Sequence, residues 1–232
     1  MNKTIVISGV TSGVGKAVSE RFVDLNWQVY GLSRNLKKLS NLSETLGKNF
    51  IPIEVNLVES ESVIRAFKKI ESNIDVLVNN AASFILKEFD KSSYEDIDRI
   101  IDTNLKGSMY VTLEALKIMK HNTNPSRIVN IGSVASLHGI ENQSIYCASK
   151  YGLNGFSEAL NQEIIKDNIS ITTLFPGGID TPLWNKNNPY PGKDTSSLLT
   201  TKDLVSMIEM ITKLDSNVIL KNMTMFPSNE WH

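Results

Sequence analysis

The sequence predicts an α/β fold in which a doubly wound parallel sheet is flanked by helices on both faces. Short apolar runs, several of them rich in β-branched residues, alternate along the chain with longer segments of helical period. Runs that are apolar almost throughout are typical of parallel strands, because helices cover both of their faces. Strand–helix–strand units of this kind cross over right-handed and build a doubly wound sheet.

Six apolar runs are predicted as strands, at 4–8, 28–32, 50–55, 75–79, 127–132 and 169–175. Four segments are predicted as helices, at 14–26, 60–72, 94–121 and 145–167. The segment 181–199 has no clear period and is rich in Pro, Asn, Gly and Lys, as expected for a lid or a binding loop. No repeat or linker divides the chain, so residues 1–232 are expected to form a single domain.

Charge and cysteine content narrow the function classes. A formal net charge of −1 and a pI near 6.3 give no basic patch for nucleic acid or for an anionic membrane. A single cysteine, Cys147, excludes a disulfide within the chain and favours a reducing compartment. No apolar run has the roughly 18 residues that a membrane span needs. We expect a soluble cytoplasmic protein without nucleic-acid or membrane partners.

A glycine-rich turn follows the first predicted strand. Gly9, Gly13 and Gly15 stand in the pattern G-x-x-x-G-x-G where the first helix begins. Glycines there permit a tight turn and a close approach of backbone N–H groups to an anion, and the helix N-terminus adds positive partial charge. The turn could serve strand-to-helix geometry alone, but a nucleotide pyrophosphate is the favoured interpretation. Its predicted contacts are Gly9, Thr11, Ser12, Gly13, Val14 and Gly15.

The turn after the second predicted strand indicates which dinucleotide is bound. An acidic residue there would bind an adenosine ribose 2′-hydroxyl, whereas an arginine suits a 2′-phosphate. Ser33 and Arg34 occupy this place, with Lys37 and Lys38 behind them. The sequence therefore favours NADP(H) over NAD(H).

Tyr146 and Lys150 lie four residues apart in a predicted helix, so their side chains share one face. Alone, such a pair is more often a solvated helix face than a catalytic site. The surrounding motifs change that interpretation. In chain order they are Ser8-Gly9-Val10-Thr11-Ser12-Gly13-Val14-Gly15, Asn79-Asn80-Ala81-Ala82, Asn104, Ser133, Tyr146-x-x-x-Lys150, and the segment from Pro176 to Thr181.

These motifs resemble the short-chain dehydrogenase/reductase family over nearly the whole chain. The resemblance implies a Rossmann-like fold, and it implies four catalytic residues: Asn104, Ser133, Tyr146 and Lys150. It also implies cofactor contacts by Asn56, Leu57, Asn80, Ala81, Ala82, Tyr146, Lys150, Pro176, Gly177, Ile179 and Thr181. Three positions depart from the family pattern, namely Ser8 for threonine, Ala82 for glycine and Asn56 for aspartate. The family's helix pairing implies a homodimer or homotetramer.

The implied chemistry is reversible hydride transfer between NADP(H) and a small carbonyl or hydroxy substrate. Tyr146 would donate the proton, and Lys150 would favour the phenolate through its charge. The resemblance further implies that Lys150 binds the nicotinamide ribose, that Ser133 holds the substrate oxygen, and that Asn104 positions a relay water. Ser133, His138, Tyr146 and Trp184 are the candidate substrate contacts.

Other interpretations remain open at this point. A family member that binds NADP(H) without turnover would be expected to lack part of the catalytic set, which is complete here. A nucleotide-sugar epimerase would need a larger C-terminal part than the 56 residues that follow Pro176, since 232 − 176 = 56. A 3-oxoacyl-carrier-protein reductase is a weaker substrate assignment, because the C-terminal segment lacks the expected Asp-Gly-Gly. Cys147 is expected to pack, and the histidines and the cysteine show no metal-ligand spacing.

Overall fold

The computed structural model describes residues 2–191, 195 and 197–228. Seven parallel strands form one sheet in the order β3-β2-β1-β4-β5-β6-β7. They are β1 Thr4–Ser8, β2 Gln28–Ser33, β3 Phe50–Glu54, β4 Val76–Asn79, β5 Ser126–Ile131, β6 Ile169–Pro176 and β7 Asn222–Met225. The six predicted strands are all present, and β7 extends the sheet beyond β6.

Helices cover both faces of the sheet, as predicted. They are α1 Gly13–Asp24, α2 Leu36–Leu46, α3 Ser60–Phe67, α4 Tyr94–Ile101, α5 Gly107–Met119, α6 Ser144–Ile164 and α7 Thr201–Lys213. The apolar sides of α1, α2 and α7 share one core with the sheet, and those of α3, α5 and α6 share the other. None of the helices in the described ranges is long and apolar enough to cross a membrane.

The main differences from the predicted boundaries are in three helices. The segment predicted as one helix at 94–121 is two α-helices joined by a π-helical turn, Asp102–Lys106. A π turn holds one residue more than an α turn, and hydrophobic period does not reveal it. The third helix ends at Phe67 rather than 72, and the sixth passes into a 3₁₀ turn at Ile165–Asp167. Helices α2 and α7 were not predicted.

The strand order places a cleft at the carboxyl edge of the sheet. β1 pairs with β2 on one side and with β4 on the other, so the chain changes direction across the sheet at β1. Ligands of open α/β sheets bind outside the carboxyl ends of the strands at such a switch point. The described part of 181–199 lies outside regular structure, with single bridges between Ile179 and Leu199 and between Asn185 and Asn188.

Candidate active site

A cavity of about 1110 Å³ runs along the carboxyl edge of the sheet. Most of the residues that the sequence assigns to the site line it: Gly9, Thr11, Ser12, Gly13, Val14, Ser33, Arg34, Asn56, Leu57, Asn80, Ala81, Ala82, Ser133, His138, Tyr146, Lys150, Pro176, Gly177, Ile179, Thr181 and Trp184. Gly15 and Asn104 do not line it. The topology therefore brings motifs that are distant in sequence to one elongated cleft.

The glycine turn has the geometry that an anion needs. Gly9 and Gly13 have positive φ angles of 74° and 53°, which favour glycine. Ser12 caps α1 without a side-chain hydrogen bond, and the first helical turn carries no acidic residue. The first N–H groups of α1 therefore keep their capacity to bind an anion, and the helix dipole stays positive there. This cradle fits a dinucleotide pyrophosphate.

Gly15 acts behind this cradle rather than in it. A Cβ at Gly15 would lie 2.4 Å from Gly9 O and 2.5 Å from Asn80 Nδ2. The Asn80 amide donates to Ser8 O at 2.9 Å and to Gly9 O at 3.2 Å. The missing side chain of Gly15 lets α1 pack closely on the turn, and a contact of its backbone with the cofactor stays a prediction.

Ser8 has a structural role that the sequence interpretation missed. Its hydroxyl oxygen accepts hydrogen bonds from the backbone N–H groups of Asn80 at 3.0 Å and Ala81 at 3.1 Å. The end of β1 is thereby joined to the segment that follows β4. The signal was present in the sequence as a hydroxyl residue at the last position of a buried strand.

At the far end of the cleft, Thr11 Oγ1 and Ser33 Oγ lie 3.3 Å apart. Arg34 is exposed and lines both this cavity and a neighbouring one of about 500 Å³. No ion pair within the described ranges involves Arg34. Asn56 Nδ2 donates to Glu59 Oε1 at 2.6 Å, and Asn56 Oδ1 is buried without a hydrogen-bond partner. These groups fit the adenosine half of a dinucleotide.

Tyr146 and Lys150 lie on α6 and line the cleft, and both are buried, at 7% and 2% exposed. Lys150 Nζ donates to Ile131 O at 2.6 Å and lies 5.6 Å from the centroid of the Tyr146 ring. Burial raises the pKa of Tyr146 to about 12, and a hydrogen bond with Ser133 opposes this rise. Burial also lowers the pKa of Lys150 to about 8.

Desolvation is the largest cause of the raised pKa of Tyr146, and it keeps the phenol protonated. That the Lys150 charge favours the phenolate during the reaction stays a prediction. A protonated phenol beside a hydroxyl is a proton donor for an oxygen atom bound between them. Ser133 follows β5, and its Oγ accepts a hydrogen bond from Ala135 N at 3.2 Å, which fixes the local turn.

Asn104 lies in the π turn and is 1% exposed. Its Oδ1 accepts from Ser83 N at 2.7 Å, and its Nδ2 donates to Ser83 O at 2.9 Å and to Ser149 Oγ at 3.0 Å. The Ser149 hydroxyl in turn donates to Tyr146 O at 2.7 Å. Asn104 thus fastens the Tyr146 helix to the segment after β4, and its side-chain hydrogen bonds go to Ser83 and Ser149 rather than to Lys150.

A small apolar cluster surrounds the Tyr146 ring. Phe84, Ala135, Tyr146 and Cys147 form it, so the expectation that Cys147 packs is confirmed. Sequence reasoning missed Phe84, whose ring meets that of Tyr146 edge-on at 4.9 Å. Its only signal was an aromatic residue two positions after Ala82. Across the described ranges, no group of three His, Cys, Asp or Glu side chains is placed to hold a metal.

Comparison with known proteins defines the class. The family model for short chain dehydrogenases matches residues 3–191, and the chain belongs to this family of oxidoreductases. A 3-oxoacyl-[acyl-carrier-protein] reductase of Rickettsia typhi is 34% identical over 186 residues, which cover 80% of this chain and 76% of that protein. A 3-dehydrosphinganine reductase of Arabidopsis thaliana is 36% identical over 184 residues, 77% of this chain. The matched region covers about half, 55%, of the length of the Arabidopsis protein.

A solved structure gives the same fold. The closed form of serine dehydrogenase complexed with NADP⁺ superposes with a TM-score of 0.90 at 26% identity, covering 99% of this chain and 96% of that one. The Rossmann-like, helix-flanked parallel sheet predicted from the sequence is confirmed.

Proposed function

We propose that this protein is an NADP(H)-dependent carbonyl reductase that converts a ketone to a secondary alcohol, reversibly. The observation that carries the proposal is the buried Tyr146, one helical turn from Lys150 and on the wall of the same dinucleotide-sized cleft as Ser133. A nicotinamide cofactor supplies the hydride when it is bound. The protein must then place the carbonyl carbon, hold its oxygen and deliver a proton.

The side chains divide this work. Tyr146 Oη is protonated at neutral pH and gives its proton to the carbonyl oxygen as negative charge develops there. The Ser133 hydroxyl donates a hydrogen bond to the same oxygen and orients it. Lys150 contributes positive charge near the phenol and binds the nicotinamide ribose. Asn104 holds α6, the helix that carries Tyr146, in place. The proposal also includes a water that Asn104 positions for proton relay.

Cofactor binding is assigned along the cleft. The Gly9–Gly13 turn takes the pyrophosphate, and Asn80, Ala81 and Ala82 flank the nicotinamide ribose. The end of β6, with Pro176, Gly177, Ile179 and Thr181, holds the carboxamide. Arg34, exposed and without an ion-pair partner in the described ranges, supports NADP(H) over NAD(H) because its donor fork suits a phosphate dianion.

The single free cysteine is consistent with a cytoplasmic enzyme. We further propose that the chain forms one domain and assembles as a homodimer or homotetramer.

A second candidate function is reduction of a 3-oxoacyl thioester, which the similarity to the Rickettsia reductase favours.

The test is a Tyr146→Phe variant assayed for ketone-dependent oxidation of NADPH, with acetoacetyl-CoA included for the second candidate. We expect kcat to fall by about 10²- to 10⁴-fold, the usual contribution of a general acid. The variant should still bind NADPH, as measured by the change in NADPH fluorescence. Tyr151→Phe, an exposed tyrosine on the same helix, is the matched control. NADH in place of NADPH should lower kcat/KM. A Tyr146→Phe enzyme as fast as wild type would refute the proposal.

A further inference from the structure

We infer that the substrate is an uncharged ketone with an aryl or alkyl substituent, held by an aromatic pocket beside Tyr146. This inference rests on the proposed function and specifies its substrate class. The aromatic pocket is defined here as the rings of Phe84, Tyr146, Trp184 and Tyr190 together with the side chains of Ile140 and Leu183. All six residues line the main cavity.

The rings form a continuous wall that begins at the proton donor. Phe84 meets Tyr146 edge-on at 4.9 Å, Trp184 meets Phe84 at 5.2 Å, and Tyr190 meets Trp184 at 5.1 Å. Interplanar angles of 90°, 74° and 69° are those of favourable edge-to-face pairs. A group attached to a carbonyl carbon near Tyr146 would therefore lie against aromatic surface.

Aliphatic side chains complete this surface. Ile140 and Leu183 are partly buried against the Phe84–Tyr146 cluster, and Phe84 itself is only 5% exposed. Burial of apolar area contributes about 25 cal/mol per Å². An alkyl or aryl substituent would gain from this wall, whereas a carboxylate would lose its hydration there without compensation.

The cavity lining contains few cationic side chains that could hold an ionic substrate. Among the described lining residues, the lysine and arginine side chains are Lys150, which donates to Ile131 O, and Arg34, at the adenosine end. His138 and Glu141 are exposed residues of the segment that precedes α6. Gln143, 7% exposed, adds a neutral amide to the wall. Apart from Lys150 and Arg34, the described lining thus offers no lysine or arginine side chain to bind the carboxylate of a 2-oxo or 3-hydroxy acid.

Matched ketone pairs test the substrate class. Acetophenone is compared with 4-acetylbenzoate, and 2-octanone with 7-oxooctanoate, with NADPH saturating. We expect kcat/KM to be at least about tenfold higher for the uncharged member of each pair, the discrimination usual for an apolar pocket. Equal or better activity on the carboxylates, with turnover intact, would overturn the inference and leave the proposed function standing.

Substitution of Trp184 tests the pocket itself. Trp184→Ala should lower kcat/KM for acetophenone by about tenfold while the NADPH affinity stays unchanged, and Trp184→Phe should restore most of the loss. Leu137→Ala is the control, since Leu137 is an exposed apolar residue that does not line the cavity. If Trp184→Ala affects both members of a ketone pair equally, or neither, the assignment of the pocket fails.

A binding measurement separates the two proposals. Saturation-transfer NMR with the Tyr146→Phe protein and NADP⁺ reports contact of acetophenone or 4-acetylbenzoate without turnover. Selective binding of acetophenone in this experiment, together with a wild-type protein that reduces no ketone with NADPH, would support the pocket and refute the proposed function. Absence of any preference between the two probes would refute the pocket.

Discussion

Tyr146 and Lys150 are both buried, and desolvation favours the neutral form of each side chain. For Tyr146 this raises the pKa to about 12, and for Lys150 it lowers the pKa to about 8. The lysine is the more costly group at neutral pH, because an ammonium 2% exposed has one backbone carbonyl, Ile131 O, as its hydrogen-bond acceptor. The site therefore holds a destabilising charge where the proposed chemistry needs one.

The cost of that charge predicts a pH-dependent stability. Below pH 8, Lys150 is protonated in both the folded and the unfolded chain, and the folded state bears the full penalty. Between about pH 8 and its ordinary pKa of 10.5, only the unfolded chain keeps the proton, so stability rises with pH and the penalty is gone above 10.5. The free energy of unfolding should gain about 3 kcal/mol over this window.

Urea unfolding of wild type and Lys150→Met from pH 7 to 10.5 measures this gain. The two proteins share all other titrating groups, so the difference between their free energies of unfolding isolates Lys150. The free energy of unfolding of the wild type should rise relative to that of the variant as the pH rises. Lys68→Met, at an exposed position, is the control. Parallel stability curves for wild type and Lys150→Met would show that the ammonium carries no such penalty.

At the scale of elements, the helices that the sequence did not reveal carried local signals. Thr200 and Asp203 form a capping box at the start of α7, and Asn35 Oδ1 accepts from Lys38 N at the start of α2. In α2 only Leu39 and Leu42 are buried, so the apolar stripe is narrow. Capping residues would have located both helices where the hydrophobic period is weak.

β7 had no comparable signal. Two of its four residues, Asn222 and Thr224, are polar and exposed, and the other two are only partly buried. Its position follows from tertiary contacts. Arg127 on β5, 7% exposed, donates through Nη2 to Leu214 O at 2.8 Å and Asp215 O at 2.9 Å, and through Nη1 to Val218 O at 3.2 Å. One guanidinium thus holds the connection from α7 to β7. Partners about 90 residues apart are invisible to local pattern.

Arg127→Met should therefore loosen this connection selectively. Three carbonyl groups lose a charged donor, and hydrogen bonds to charged groups contribute about 1.5–3 kcal/mol each at most. We expect faster amide hydrogen exchange in residues 214–225 and a stability loss of about 2–4 kcal/mol by urea unfolding. Arg65→Met, at an exposed position on α3, is the control. Unchanged exchange in residues 214–225 would contradict the assigned role.

For the whole molecule, the sequence predicted what depends on local period and spacing. The six strands, the glycine turn and the Tyr146–Lys150 pair can each be recognised from residues that are close together in the sequence. The features it missed depend on distant partners, such as the Ser8 bonds to Asn80 and Ala81 or the contact of Phe84 with Tyr146. The π turn at Asn104 was missed for another reason, since it changes hydrogen bonding without changing the apolar pattern.

The outer surface of the molecule predicts how copies associate. Tyr94 on α4, Leu113 on α5 and Tyr151 on α6 are 85%, 57% and 45% exposed, and α4 packs against α6. Leu36, 58% exposed, lies on α2 in the opposite layer. We expect the surface of α4, α5 and α6 to form the proposed dimer or tetramer interface, which sedimentation velocity of the wild-type protein would reveal.

Charge substitution locates that interface. In a two-fold assembly each residue occurs twice, so Leu113→Glu or Tyr151→Glu would place two carboxylates in one apolar contact, and desolvating them should drive dissociation. Leu36→Glu adds the same charge at similar exposure on the other layer and should leave the assembly intact. A wild-type monomer at micromolar concentration would refute the assembly, whereas dissociation by Leu36→Glu alone would place the interface on the opposite layer.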